Sequence, residues 1–240
     1  EDFADIRTFP RGPDAGTCLH TLLERLDGQR PATAQPDLIA ETLARAGIDA
    51  RWQPATAAWL DAVGAVPLPG SCALADVGEH DRINELAFLF PLEQVSRHRL
   101  SSLLTTAGLR PLPTAEGRLQ GLMKGFVDLV FRCDGRFYLV DYKSNHLGPD
   151  LTHYGPEGLA ACMDDHHYHL QYLIYTLAVH RYLQARLPGY SYAAHFGGAY
   201  YLFLRAMHPD HPAGTGVYHA RPDEGLIMAL DSCCRGREAQ

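Results

Sequence analysis

Residues 125–143 read GFVDLVFRCDGRFYLVDYK, and this stretch decides the fold. Two apolar runs flank the dipeptide Asp134-Gly135, which is one of the strongest sequence signals for a two-residue β-hairpin turn. In the register that such a turn sets, Asp128 lies directly opposite Asp141. Directly opposed side chains on paired strands have Cβ atoms about 4.5–5.5 Å apart. The hairpin therefore predicts that two carboxylates meet on one face of a sheet.

Lys143 adds an ammonium group to this pair, because it lies two residues beyond Asp141 and projects from the same face. Opposed like charges destabilise a sheet, and the apolar neighbours would partly desolvate them. A divalent cation with oxygen ligands would offset the repulsion, which predicts a metal site. Two other interpretations stay open, namely a solvated polar face or neutralisation of one aspartate by Lys143. A bulge at Gly125 would also change the register.

The rest of the chain alternates helical and strand patterns around this hairpin. Prolines near the first turn and glycines after the last mark several helices, and apolar runs mark the strands. The predicted helices cover residues 14–27, 36–46, 54–63, 95–107, 164–187 and 223–234, and the further predicted strands cover 83–90 and 196–205. The expected fold class is α/β (α+β), with a mixed central sheet flanked by helices and extra helices inserted early.

The charge balance bears on what the protein binds. The chain has 240 residues and a formal net charge of −7, which speaks against a protein that captures nucleic acid by its own basic surface. Lys124 and Lys143 are the only lysines among the 21 basic residues. Because arginine is the default cation here, each lysine is a candidate for a position that arginine would not serve.

The cysteines and the termini bear on the compartment. Six cysteines without a C-x-x-C pair predict reduced thiols in a cytoplasmic protein. No apolar run reaches the about 18 residues that a membrane span needs. The first residues include neither a basic nor an apolar leader, so they do not resemble a signal peptide. We expect no membrane contact, and we expect the chain to be a piece of a longer protein.

Four stretches of the chain resemble a known family. Gly125–Asp128, followed by Val140–Asn145, resembles the metal site of the PD-(D/E)XK nuclease superfamily. Gln171–Leu183 resembles the helix after the catalytic hairpin in RecB-type nucleases, and His195–Arg205 resembles the strand after that helix. Gly16–His20 resembles the first helix of the same branch. The resemblance implies a restriction-endonuclease-like core.

The sequence departs from the superfamily pattern at two positions. Val127 replaces the usual proline, and Asp141 replaces the more common glutamate, as is usual in the RecB branch. Related nucleases with an iron–sulfur cluster carry one early cysteine and three clustered late ones. This chain lacks that pattern, so we expect no iron–sulfur centre.

The resemblance assigns roles at the hairpin and on the first helix. It implies that Asp128 and Asp141 bind Mg²⁺, with Mn²⁺ as a second candidate, and that the Tyr142 carbonyl oxygen is a further ligand. It also implies that His20 is a metal ligand, although a lone helical histidine is more often a packed or solvated residue. Lys143 would lie beside the phosphate that is cut. Asp128, Asp141 and Lys143 are thus the expected catalytic residues.

Other candidates lie outside the hairpin. Gln171 and Tyr175 share a helix face and are expected to line the site or form a buried polar pair. Glu24, one turn past His20, is either a weak ligand or supports one. The cluster at residues 166–169 contains three histidines, but its spacing fits no zinc motif. Lys124 either contacts a DNA backbone or is solvated.

The resemblance implies a metal-dependent DNA nuclease domain of a helicase–nuclease, acting in double-strand-break repair, recombination and degradation of linear DNA. Residues 1–13 would be a linker from an upstream helicase region, and residues 14–240 the nuclease domain. The implied partners are single-stranded DNA ends, RecC- and RecD-like subunits and a RecA-type recombinase. No G-x-x-x-x-G-K-[ST] loop occurs, so we expect no ATP site in this chain. Two alternatives are a restriction or junction-resolving nuclease and a catalytically silent docking module.

Overall fold

The computed structural model describes residues 6–113 and 116–236. Within these residues, five strands form one mixed sheet in the order β1-β2-β3-β4-β5. Strands β3 and β4 are parallel, and the other neighbouring pairs are antiparallel. The strands are β1 Arg82–Ser96, β2 Arg118–Cys133, β3 Arg136–Lys143, β4 Phe196–Phe203 and β5 Val217–Ala220. The expected mixed sheet is therefore confirmed.

Helices cover both faces of this sheet. They are α1 Pro13–Arg25, α2 Pro36–Arg45, α3 Gln53–Ala65, α4 Arg97–Thr106, α5 Pro156–Asp165, α6 Tyr168–Arg186, α7 Tyr192–His195 and α8 Glu224–Cys234. Helices α1 to α3 pack on one face, and α4 to α8 pack on the other, so each face has its own hydrophobic core. No helix in the described part of the chain is long and apolar enough to cross a membrane.

The hairpin of β2 and β3 has the predicted register. Cys133 pairs with Arg136 beside the turn, and the pairing continues to Leu129 opposite Val140. Within the described residues the ladder stops there, one position before Asp128. The same register would place Asp128 opposite Asp141, but the two aspartates lie just beyond the last regular pair, so their direct opposition stays a prediction.

The predicted helix over residues 164–187 is wrong at its first turn. The structure has two helices, because His167 adopts a left-handed conformation with φ 54° between α5 and α6. No glycine or proline marks this break in the sequence, since a histidine takes the left-handed position. The break lets α6 begin at Tyr168, beside the end of β3. Helix α5 and strand β5 were not predicted.

The N-terminal stretch contributes to the core. Phe9 is 1% exposed, and its ring meets that of Trp52 edge-on at 5.3 Å between centroids. The buried guanidinium of Arg205 donates hydrogen bonds to the carbonyl oxygens of Phe9, Pro10 and Ser144. The domain boundary at residue 13 stays a prediction, but residues 6–13 of the expected linker pack against the domain.

Candidate active site

Asp128 lies where β2 separates from β3. Its Oδ2 accepts a hydrogen bond from the backbone N–H of Tyr142 at 2.7 Å. A side-chain carboxylate thus takes the place of a main-chain acceptor directly after the last strand pair, Leu129 with Val140. This bond fixes Asp128 beside the backbone of β3, next to the residue that carries the second carboxylate.

Asp141 and Lys143 form a buried ion pair. The side chains are 5% and 10% exposed, and Lys143 Nζ lies 2.5 Å from Asp141 Oδ2. Burial raises the pKa of Asp141 to about 6, and the charge of Lys143 partly offsets this rise. No well-oriented hydrogen bond from the described part of the chain reaches Asp141 Oδ2. This carboxylate oxygen therefore keeps unused acceptor capacity in a dry environment.

Aromatic rings and one amide hold the ammonium of Lys143. Its Nζ donates to Gln171 Oε1 at 3.0 Å and lies 3.7 Å from the ring centroid of Tyr168 and 5.0 Å from that of Tyr201. Cation–π contacts of this kind stabilise a desolvated cation. The predicted convergence of Asp141 and Lys143 is therefore present. Tyr168 and Tyr201 were missed, because no short motif links them to the hairpin.

Helix α6 presents Gln171 and Tyr175 on the face that meets Lys143. Gln171 Nε2 donates to Tyr175 Oη at 3.0 Å, and Tyr201 Oη donates to Gln171 Oε1 at 3.1 Å. Burial raises the pKa of Tyr175 to about 12, so its hydroxyl keeps its proton at neutral pH. The chain of hydrogen bonds therefore runs from Lys143 through Gln171 to a neutral phenol.

His20 reaches the site from α1. Its Nδ1 lies 3.4 Å from Asp128 Oδ2, and its side chain is 39% exposed. The hydrogen bond with Asp128 raises the pKa of His20, and burial partly opposes this rise. The structure thus places His20 beside Asp128, as its proposed role requires.

An acidic residue that sequence reasoning missed lies opposite Asp128. Leu86 pairs with Val127 and Asn84 with Leu129, so Glu85 occupies the position between them with φ 53°. The pKa of Glu85 is raised by burial and then by the negative charges of Glu24 and Asp128. The signal was available in the pairing of β1 with β2, but that register could not be set from local sequence.

Glu24 lies one turn beyond His20, as expected. Its backbone carbonyl oxygen accepts a hydrogen bond from Asn84 Nδ2 at 2.8 Å, which ties α1 to β1. Its side chain is exposed and lies near enough to Glu85 to raise the pKa of that residue. The acidic side of the site is thus built from α1 and β1 as well as from the hairpin.

The donor set suits a divalent ion without forming a closed cage. Among residues 6–113 and 116–236, no three His, Cys, Asp or Glu side chains converge closely enough to hold a metal ion as they stand. Within the described residues, the buried Oδ2 of Asp141 contacts the Lys143 ammonium but makes no well-oriented hydrogen bond, and Asp128 and His20 supply an oxygen and an imidazole nearby. Carboxylates suit Mg²⁺ and Mn²⁺, and imidazole favours Mn²⁺. The residues present therefore fit such an ion by chemistry.

Two other candidates lie outside this cluster. His169 Nε2 is 2.9 Å from Asp164 Oδ1, so this histidine makes a local contact within the α5–α6 corner. Lys124 is exposed on β2, and its Nζ lies 5.7 Å from the ring centroid of Phe126. These contacts of His169 and Lys124 are local and do not involve Asp141 or Lys143.

Comparison with known proteins gives a consistent set of matches. A model of the PD-(D/E)XK nuclease superfamily matches residues 4–229. The RecBCD enzyme subunit RecB of Escherichia coli (strain K12) is 41% identical in an alignment of 235 positions that covers 95% of this chain and 20% of that protein. The RecB subunit of Haemophilus influenzae is 38% identical over 236 residues, covering 96% of this chain and 19% of that protein.

A more distant relative has the same kind of match. The RecB subunit of Mycobacterium tuberculosis (strain H37Rv) is 34% identical in an alignment of 275 positions that covers 97% of this chain and 24% of that protein. The chain thus spans about a fifth to a quarter of the length of these relatives.

Proposed function

Because this chain belongs to the PD-(D/E)XK nuclease superfamily, we propose that it hydrolyses phosphodiester bonds of DNA in a reaction that depends on a divalent metal ion. One observation carries the proposal: Asp128, Asp141 and Lys143 converge where β2 separates from β3. A solvated polar face does not explain these residues, because Asp141 and Lys143, counted as whole residues with their backbone, are 4% and 8% exposed. Burying charges at this depth is costly and is typical of functional sites.

Asp128, Asp141 and His20 would hold the metal ion, together with the carbonyl oxygen of Tyr142. Mg²⁺ is the first candidate and Mn²⁺ the second. Such an ion supplies Lewis-acid stabilisation of the phosphate charge and makes water a stronger nucleophile near neutral pH. The Tyr142 N–H keeps the Asp128 carboxylate oriented. The low exposure of Asp141 keeps bulk water away from its Oδ2.

Lys143 binds and orients the phosphate that is cut. Its ammonium is positioned by Gln171 and by the faces of Tyr168 and Tyr201. A positioned cation stabilises the negative charge that develops on the phosphate oxygens, and fixed groups in a water-poor site do this better than solvent. Gln171 and Tyr175 act as positioning residues, because their contacts with the reacting centre run through Lys143.

The relatives are subunits of an enzyme named RecBCD, which suggests the wider setting. We infer that the chain acts within a helicase–nuclease in double-strand-break repair and recombination, on strands that attached motor subunits deliver. Its partners would be RecC- and RecD-like subunits and a RecA-type recombinase, in the cytoplasm. The motor would supply the ATP site.

The test is Mg²⁺-dependent digestion of linear single-stranded DNA by wild type and by Asp141→Asn. We expect the variant to lose at least about a hundredfold in rate, because a neutral amide cannot replace a metal-binding carboxylate. The control is Asp134→Asn, the same chemical change at the exposed turn of the same hairpin, which should retain wild-type activity. Equal rates for wild type and Asp141→Asn would refute the proposed site.

A further inference from the structure

A groove of about 270 Å³ lies between the β1–β2 ribbon and helix α6. Its apolar lining includes Phe88 and Met123 from the ribbon and Leu170 and Ile174 from the helix. The groove also includes Gln171 and Tyr175, and no step described above uses its apolar part. Ligand grooves commonly combine a mostly apolar lining with a few convergent polar groups.

The groove begins at the reacting centre. Gln171 lines it and accepts a hydrogen bond from Lys143 Nζ at 3.0 Å. A phosphate held by Lys143 would therefore have the groove within reach of the nucleotide attached to it. This continuity with the site identifies the occupant as part of the substrate strand.

The wall chemistry suits a flat heteroaromatic ring. The rings of Phe88 and Tyr175 meet edge-on at 5.7 Å between centroids, so an aromatic wall joins the aliphatic residues that line the groove. Tyr175 Oη accepts from Gln171 Nε2, so its own proton remains available as a hydrogen-bond donor. Every nucleobase offers an aromatic face and at least one acceptor, so this wall would bind bases without reading sequence.

A glycine leaves the space that the Phe88 ring of this wall occupies. A Cβ atom added at Gly125 would lie 2.5 Å from the Phe88 ring, which is closer than real Cβ atoms come. Gly125 thus allows the Phe88 ring to lie against the ribbon at the edge of the groove. This explains why a glycine stands three residues before Asp128, where its φ angle does not require one.

We propose that the groove is a nucleobase subsite, which binds the base of a nucleotide that flanks the cut phosphate. The inference rests on the proposed nuclease function and adds to it a binding site for the substrate strand. A base that inserts here fixes the position of its phosphate relative to Lys143. The gain is one of orientation, which raises the rate at the adjacent bond.

The first experiment uses single-stranded oligonucleotides with one hydrolysable phosphodiester among linkages that resist hydrolysis. An abasic nucleotide is placed at each position in turn, and the rate of the single cut is measured with Mg²⁺. Removing the base beside the cut, on one side only, should slow the wild-type reaction by about tenfold, the usual scale of one base–aromatic stack. Equal rates for all abasic positions would overturn the proposal.

The second experiment fills the groove with a side chain of this protein. Ile174→Trp should cut the oligonucleotide with all its bases as slowly as the wild type cuts the sensitive abasic one, and should show no further loss on the abasic one. Its matched control is Gln184→Trp, an exposed position on the same helix, which should behave as wild type. A tenfold additional loss in Ile174→Trp on removal of the base would also contradict the subsite.

A third measurement separates this inference from the proposed function. The wild-type chain is titrated, in EDTA, into oligonucleotides that carry 2-aminopurine at one position. Fluorescence should be quenched by stacking in the wild type and in Gln184→Trp, and the quenching should be lost in Ile174→Trp. Cleavage by the wild type with equal quenching in Ile174→Trp and Gln184→Trp would overturn the subsite alone. Quenching without cleavage would preserve the subsite and refute the nuclease.

Discussion

Lys143 is one of only two lysines in a chain whose other basic residues are arginines, and its contacts explain the residue type. Its ammonium lies between a carboxylate at 2.5 Å, an amide oxygen at 3.0 Å and the face of Tyr168 at 3.7 Å. A planar guanidinium is larger and donates in a fixed fork, so it could not make these three contacts from one point. The rarity of lysine was visible in the sequence. The aromatic side chains that hold the Lys143 ammonium could not be identified from the sequence, because they lie far from it along the chain.

The acidic residues of the site differ in whether the sequence could predict them. Asp128 and Asp141 were found from the hairpin register, and Glu85 was not, although it lies opposite Asp128 in the adjacent strand pair. A turn motif sets the register of β2 with β3, whereas no turn motif sets that of β1 with β2. Local sequence therefore predicts the site residues whose register is set by a tight turn, and it does not predict Glu85.

Protonation of His20 should control metal binding. Its pKa is raised above the ordinary value of 6.5 mainly by the hydrogen bond with Asp128, so the metal-free site favours the imidazolium form. An imidazolium must lose its proton before it binds a metal ion. We expect Mn²⁺ affinity, measured by calorimetry, to fall as the pH drops through that raised pKa. His20→Ala should flatten this part of the pH profile.

The sign of the accompanying stability effect can be worked out. A raised histidine pKa stabilises the metal-free fold fully below about pH 6.5, and this contribution is lost as the pH rises through the folded-state pKa. Asp141, with its pKa near 6, leaves a residual pH dependence of metal binding in His20→Ala. Identical pH profiles for the variant and wild type between about pH 6.5 and 8.5 would contradict the role of His20.

At the level of elements, the order of most helices and strands follows from local signals, and the exceptions follow from tertiary contacts. Proline at the start of α2 and Asp-Gly in the hairpin act within a few residues, so they could be interpreted correctly. The break between α5 and α6 depends on a left-handed His167 that brings Tyr168 over Lys143. Helix propensity does not encode this contact, because the contact joins α6 to Lys143 at the end of strand β3.

Arg205 links the end of β4 to two other segments and should be important for stability. Its side chain is buried and donates to the carbonyl oxygens of Phe9, Pro10 and Ser144 at 2.7–2.8 Å. Arg205→Met leaves these oxygens without their donor, so we expect urea unfolding to show a loss of roughly 2–4 kcal/mol.

The matched control for this element is Arg186→Met, which removes an exposed guanidinium at the end of α6. We expect its free energy of unfolding to change by less than about 0.5 kcal/mol. If Arg205→Met had a similarly small effect, the N-terminal stretch would not be held to the domain by these hydrogen bonds.

For the whole molecule, the net charge of −7 and the acidic side of the site act in the same direction. Glu85 lies near both Glu24 and Asp128, so these three carboxylates add negative charge beside the metal-free site. Electrostatic attraction to phosphates supplies most of the non-specific affinity for nucleic acid. If the proposed function is correct, we expect a chain with this charge distribution to depend on a bound metal ion, and on delivery by a partner, to receive DNA.

This dependence predicts weak DNA binding by the chain alone. In EDTA and about 150 mM salt we expect a Kd for single-stranded DNA above about 1 µM, with affinity falling steeply as salt rises. Replacing Glu24 and Glu85 with Gln should tighten binding several-fold, because repulsion at the site is removed. Replacing Glu157 and Glu224, which are exposed on α5 and α8, makes the same change in net charge and should have a smaller effect. Submicromolar binding by the unmodified chain, measured by fluorescence anisotropy, would show that it captures DNA without help.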